Sequence, residues 1–174
     1  MIASWAWTVG GIIYVGWLLG HVVALRGLAD GRSWVFFILL ATVASDTAAF
    51  FIGRAIGRHK LASQISPNKT WEGAIAGVIG AVIFSLLFPP AELFSATNPL
   101  HIHGLSYGEA ILLGVLVSLF GQLGDLAESL LKRKTGVKDS GNLLPGHGGI
   151  LDRLDSIIFS GAVVYYFAII YMGL

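Results

Sequence analysis

The chain has 174 residues, 55% of them hydrophobic and 12% charged, with a formal net charge of +1 and a mean hydropathy of +0.77. Soluble domains carry roughly 25% charged residues, so the composition excludes an ordinary soluble fold, and near-neutrality removes the electrostatic case for a nucleic-acid partner. No cysteine occurs, which excludes disulfides, thiolate chemistry and cysteine-ligated zinc and leaves carboxylate, amine, guanidinium, imidazole and hydroxyl groups for any reaction.

The first apolar run, Trp5 to Leu25, has no Asp, Glu, Lys or Arg and matches the roughly 20 residues that cross a bilayer. It lacks the basic start of a signal peptide and reads as a span. Trp5, Trp7 and Trp17 are expected to anchor at the interface, and His21 to be packed within the helix bundle. The second run, Ser33 to Gly53, is broken only by Asp46. An acid at that depth costs about 2.5–3.5 kcal/mol on insertion scales, so Asp46 is expected to face a polar interior or an ion.

Next comes a connection with Arg54, Arg58, Lys60 and Lys69, ending in Ser66-Pro67-Asn68-Lys69-Thr70-Trp71-Glu72-Gly73. The glycines that precede the lysine of a P-loop are missing. Two readings stand: a helix cap with an interfacial tryptophan, or a lysine with hydroxyls set against phosphate. The third run, Gly73 to Phe88, carries Gly73, Gly77 and Gly80, a small-residue spacing suited to close helix contact and compatible with a homodimer. Pro89 to Gly108 holds no Lys or Arg and reads as an irregular external loop, with His101 and His103 on its surface. Glu109 to Leu126 and Ile157 to Leu174 are the fourth and fifth runs.

In hydrocarbon every backbone polar group needs an internal partner, and alternating segments typical of a barrel are absent. The expected fold is therefore all-α: a polytopic membrane protein of about five helices, forming a single domain over residues 1–174. Nine basic residues lie in the second and fourth connections (Arg54, Arg58, Lys60, Lys69, Lys132, Arg133, Lys134, Lys138, Arg153) against Arg26 and Arg32 in the first. The positive-inside rule puts the second and fourth connections in the cytoplasm, with the amino terminus inside and the carboxyl terminus outside.

The stretch that carries chemistry is Gly124 to Ser156. Asp125, Glu128, Ser129 and Lys132 fall at i, i+3, i+4 and i+7, one face of a helix. Asp152, Asp155 and Ser156 repeat the logic where the last helix opens. Between them lies a loop rich in Gly and Lys. Carboxylates and hydroxyls suit a hard cation such as magnesium, which usually shares its shell with phosphate and water. Neighbouring Lys and Arg would bind phosphate oxygens, and Gly141, Gly146, Gly148 and Gly149 let backbone N–H groups approach an anion. A solvated loop whose acids balance its bases is the plainer alternative.

The run Ser129-x-Leu131-Lys132-Arg133-x4-Lys138-Asp139-x-Gly141-x2-Leu144-Pro145-x-His147-Gly148-Gly149-Ile150-x-Asp152-Arg153-Leu154-Asp155 resembles the signature of the phosphatidate cytidylyltransferases, or CDP-diacylglycerol synthases. Asp46-Thr47, Gly53-Arg54 and the segment from Ser66 to Gly73 resemble that family's upstream segments. The likeness runs from about residue 40 to the end. Members usually have further membrane helices at the amino terminus, so the chain resembles their carboxyl-terminal, catalytic part. Archaeal CDP-archaeol synthases are similar in length and span number, but their signature diverges from this one.

The resemblance implies conversion of CTP and phosphatidate to CDP-diacylglycerol and pyrophosphate with magnesium, as one or two ions. Absent cysteine and short loops fit a prokaryotic inner membrane, with the basic connections and the site on its cytoplasmic face. The resemblance also implies Asp125 and Asp152 as the main metal ligands, supported by Asp155 and Asp46. Lys69, Lys132, Arg133, Lys138 and Arg153 would hold phosphates. Ser66, Thr70, Ser129, Asp139, His147, Gly148 and Gly149 would line the substrate site. The alternatives from other classes are a transporter using Asp46 as its coupling acid, which predicts discontinuous helices in matched halves, and a non-enzymatic scaffold.

Overall fold

The structure, a computed structural model, describes residues 2–63, 65–89, 100–135 and 151–173. Five helices appear in chain order: α1 (Ile2–Arg26), α2 (Gly31–Ile56), α3 (Trp71–Ser85), α4 (Tyr107–Thr135) and α5 (Leu151–Tyr171). Four of them are long and apolar enough to cross a membrane, and α3, with 15 residues, is shorter than a span. The described spans are continuous helices rather than broken ones, which removes the feature a transporter reading requires. The element absent from the expectation is a two-stranded antiparallel hairpin between α2 and α3, formed by β1 (Lys60–Ala62) and β2 (Ser66–Thr70).

Membrane helices associate through close van der Waals packing rather than hydrophobic transfer, so small residues mark their contacts. The stripe on α3 works in this way. A Cβ at Gly73 would lie 2.8 Å from the Ala49 carbonyl oxygen, one at Gly77 would lie 3.0 Å from Ser45 Oγ, and one at Gly80 would lie 2.8 Å from Ala48 Cβ. All three glycines therefore seat α3 on α2. The stripe is used inside one protomer and does not present a dimer face. Gly114 brings α4 against Val82 and Ser85 of α3, and Gly124 brings α4 within 2.6 Å of the Asp155 carbonyl of α5, measured from a Cβ built there.

Contacts between the connections set sidedness. The Asp30 carboxylate, before α2, accepts from the His103 N–H at 2.7 Å and lies 2.7 Å from His103 Nδ1. A Cβ at Gly104 would meet Met172 at 3.4 Å. The first and third connections and the end of α5 thus share one side. The hairpin and the far ends of α4 and α5 share the other. This is the alternation expected from the distribution of Lys and Arg.

The two halves differ in character. Trp34, Phe37 and Ile38 of α2, Ala81 of α3, Phe88 after it, Leu113 and Val117 of α4, and Val164 and Ala168 of α5 fill a dry core. All lie toward the Asp30–His103 side, and the Phe37 and Phe88 rings meet edge-on at 4.9 Å. Toward the hairpin the packing turns polar: Ser45 Oγ lies 2.7 Å from Ser118 Oγ, and Gln122 Nε2 donates to Ser118 Oγ and to the Ala74 carbonyl. His21 is packed as expected, its ring nitrogens on the Trp17 carbonyl and the Tyr166 hydroxyl. Trp5 and Trp17 are exposed, as lipid- or interface-facing rings would be, and His103 is a surface residue.

Candidate active site

The site begins where α2 ends. The Gly57 N–H closes α2 onto the Gly53 carbonyl at 3.1 Å. A Cβ at Gly57 would stand 2.2 Å from that oxygen and 2.7 Å from the Thr70 side chain, so only glycine lets the chain turn here. It then runs through β1 and β2 to Thr70, whose buried hydroxyl accepts from the Gly73 N–H at 3.1 Å and caps α3. Such a cap is worth about 1 kcal/mol. Of the two readings of this segment, the helix cap is therefore realised at Thr70.

Lys69, one residue earlier, does something different. Its ammonium is ion-paired with the Asp125 carboxylate of α4, with both side chains largely shielded. Ser129 Oγ donates to the other Asp125 oxygen at 3.4 Å. Asp46 of α2 lies within electrostatic range of Asp125, Asp155 and Lys69. Three acids on three helices thus surround one lysine delivered by the hairpin.

Asp46, Lys69 and Asp125 meet in a cavity of about 630 Å³. Its polar wall carries Asp46, Arg54, Lys60, Lys69, Gln122 and Asp125, and Ala49 and Phe50 line an apolar part. The Phe50 ring is also exposed on the outer face of α2. Asp46 is exposed to this space rather than sealed in lipid or protein, which answers how an acid persists in an apolar run.

The remaining expected residues fall in three groups. Glu128 is buried one turn beyond Asp125, pairs with Lys132 at 3.4 Å and lies against the Asp155 carboxyl, which also accepts from the Ser156 N–H at 2.7 Å. Asp155 and Lys132 therefore sit beside the cavity without lining it. Ser66 pairs with Ala62 in the hairpin, and the Arg133 guanidinium reaches the Ile65 carbonyl at 3.5 Å. Lys138, Asp139, Gly141, His147, Gly148 and Gly149 lie outside the described residues, as do the side chains of Asp152 and Arg153.

Sequence reasoning did not single out Gln122, Asn68, Lys60 or Arg54 as site residues, although all line the cavity. A signal existed for Gln122: an amide inside an apolar span marks a helix–helix hydrogen bond. Among the described residues no carboxylate pairs with Arg54 or Lys60, so two cations face the cavity without a fixed counter-ion.

The donor set bears on magnesium. Among the described residues no three acids or imidazoles converge closely enough to hold an ion alone. Magnesium does not need such a cage, because it is held by one or two carboxylates and completes its shell with substrate phosphate and water. Asp125 and Asp46 facing one cavity fit that requirement, and their oxygen-only chemistry suits a hard ion.

Comparison with known proteins identifies relatives over most of the chain. Over 176 residues the chain is 40% identical to a phosphatidate cytidylyltransferase of Brucella suis, covering 98% of this chain and 62% of that protein. A phosphatidate cytidylyltransferase of Bacillus subtilis is 40% identical over 155 residues, 88% of this chain and 54% of its own length. One from Staphylococcus haemolyticus is 45% identical over 148 residues, 85% of this chain and 53% of its own length. The chain thus spans between half and two thirds of the length of these relatives. The model of the cytidylyltransferase family matches residues 1–171, from the start of α1 to the end of α5, and the chain belongs to that family.

Proposed function

We propose that the cavity transfers the cytidylyl group of CTP to the phosphate of phosphatidate, giving CDP-diacylglycerol and pyrophosphate at the cytoplasmic face of an inner membrane. The observation that carries this reading is the Lys69–Asp125 pair, set in a space that also holds Asp46, Arg54 and Lys60. Similarity to relatives named phosphatidate cytidylyltransferase supports it.

The physical problem of the reaction is charge. The nucleophile is already an anionic phosphate oxygen, so no strong base is required, and the obstacles are anion–anion repulsion and charge gathering on the leaving pyrophosphate. Arg54 and Lys60 would receive polyphosphate oxygens, Arg54 as a planar fork and Lys60 as a point charge. Lys69, held beside Asp125, would present its charge to substrate phosphate. Asp125 and Asp46, supported by Asp152 and Asp155, would hold magnesium, which when bound supplies neutralising charge at the phosphates. The apolar wall at Phe50 would take the glycerol and acyl end, so that the lipid phosphate enters from the bilayer while CTP enters from water.

The test is direct. Detergent-purified protein given labelled CTP, phosphatidate and magnesium should yield a lipid-soluble CDP product. Asp125→Asn should lower turnover on the order of a hundredfold or more, the usual scale for losing a group that stabilises transition-state charge, with the helical circular dichroism unchanged. Turnover near wild type in that variant would remove Asp125 from the reaction and overturn the assignment.

A further inference from the structure

We infer that His59 and Glu72 form a clasp that positions Lys69, an inference that rests on the cytidylyl-transfer reading of the same cavity. The need for such a clasp follows from the hairpin itself. Lys60 faces Thr70 and Ala62 faces Ser66, so β2 advances four residues while β1 advances two, with an irregularity between the pairs. Pro67, inside β2, has no N–H to give to the ladder. A short isolated hairpin is marginal in water, and this one has only these two registered pairs to fix where Lys69 points.

The clasp supplies what the ladder lacks. His59 stands just before β1 and Glu72 two residues after β2. The His59 main-chain N–H donates to both carboxylate oxygens of Glu72, at 3.3 Å each, and the His59 Nδ1 lies 2.6 Å from Glu72 Oε1. The His59 carbonyl accepts from the Trp71 N–H at 2.9 Å. Both main-chain polar groups of one residue and its ring therefore bind the first turn of α3. That turn is itself seated on α2 through Gly73 and Gly53 and capped by Thr70. Lys69 lies three residues before Glu72, so the clasp fixes the base of the hairpin and holds Lys69 toward Asp125 of α4.

Neither His59 nor Glu72 lines the cavity, so they are positioning residues. The His59 ring is 79% exposed, and a side-chain pair open to solvent ordinarily contributes little. This one differs because the carboxylate also takes a main-chain N–H and closes a ring across the hairpin.

The experiment labels lysines of the purified full chain with an amine-reactive ester and reads each site by mass spectrometry, alongside the CTP assay. In wild type, Lys69 is protected by its pairing with Asp125 and by being only 23% exposed. Glu72→Ala should raise Lys69 labelling and lower kcat, each about tenfold, the size of losing a hydrogen bond to a charged group. Lys134 at the exposed end of α4 should stay unchanged. Glu72→Gln keeps an oxygen for the His59 N–H and should restore most of the protection and most of kcat. His59→Ala, which removes only the ring, should shift both in the same direction by less and serves if Glu72→Ala does not fold. Unchanged Lys69 labelling in Glu72→Ala, or Lys69 and Lys134 rising together, would overturn the clasp. Wild-type protein without turnover would instead overturn the cytidylyl-transfer reading, while the labelling pattern would still decide whether the clasp fixes Lys69.

Discussion

Arg54 and Lys60 enter the cavity without a carboxylate among the described residues to neutralise them, whereas Lys69 is already paired. That difference separates their expected roles. Arg54→Ala should raise the KM for CTP about tenfold, consistent with loss of a charge-assisted contact, and Arg54→Lys should recover part of it by keeping the charge without the fork; steady-state kinetics at varied CTP checks both. On the opposite side of the molecule, burial raises the Asp30 carboxyl, but the His103 N–H and ring and the charges of His103 and His101 outweigh it and hold the group below its ordinary 3.8. A folded-state value below the unfolded one stabilises the fold above about pH 4, and that contribution disappears as pH falls through this range. Because His103 is mostly exposed, the effect should stay below about 1 kcal/mol. Asp30→Asn, tolerated at its left-handed backbone (φ 54°), should show no such acid loss in thermal unfolding measured across this range. The acids of the site were legible in sequence because polar residues at i, i+3 and i+4 on an apolar background reveal their face. Arg54 and Lys60 were legible only as charges, since periodicity says nothing about which loop cations turn inward.

At the scale of elements, the glycine stripe of α3 and the hairpin beside it show opposite kinds of legibility. Small residues every three or four positions announce a close helix contact, and α3 meets α2 there. Gly73→Ala would place a methyl group 2.8 Å from the Ala49 carbonyl and 3.2 Å from Gly53 Cα. Both are backbone atoms that cannot step aside. Overpacking of this kind costs about 1–3 kcal/mol, so the melting temperature in detergent should fall, with turnover falling further because Gly73 also anchors the Thr70 cap. The hairpin left no such trace. Ser-Pro-Asn-Lys-Thr has neither alternating hydrophobicity nor β-branched density, and the structure holds it through side chains from outside the strands: the clasp to Glu72, the Lys69–Asp125 pair and the Arg133 contact to Ile65. Contacts between residues distant in sequence are invisible to a local pattern.

For the whole molecule, the division into a dry half and a polar half follows from where each helix carries its bulk. Phe37, Phe88, Leu113 and Val164 sit toward one side and Asp46, Gln122, Asp125 and Glu128 toward the other, so the apolar core supports the site from beneath. The count of basic residues per loop predicts that the hairpin side faces the cytoplasm, because charge asymmetry acts on the chain before any tertiary contact exists. Natural absence of cysteine makes the orientation easy to check. His103→Cys and Ser63→Cys, each the sole thiol, should react with a membrane-impermeant maleimide from opposite faces of sealed vesicles, His103→Cys from outside.

The shortness of α3 has a consequence for the surrounding lipid. Fifteen residues rise about 22 Å, roughly 8 Å less than the hydrocarbon thickness of a typical bilayer. Hydrophobic mismatch of this size is met by local thinning around the short element. On the flank formed by α3 the headgroup layer is therefore expected to lie closer to the bilayer midplane, and the end of α3 where Thr70 and Lys69 stand is a place it would do so. A phosphate carried on a lipid would descend with it. The acyl chains can stay in place while the head reaches Asp46, so thick-bilayer lipids should slow the protein where thin ones do not.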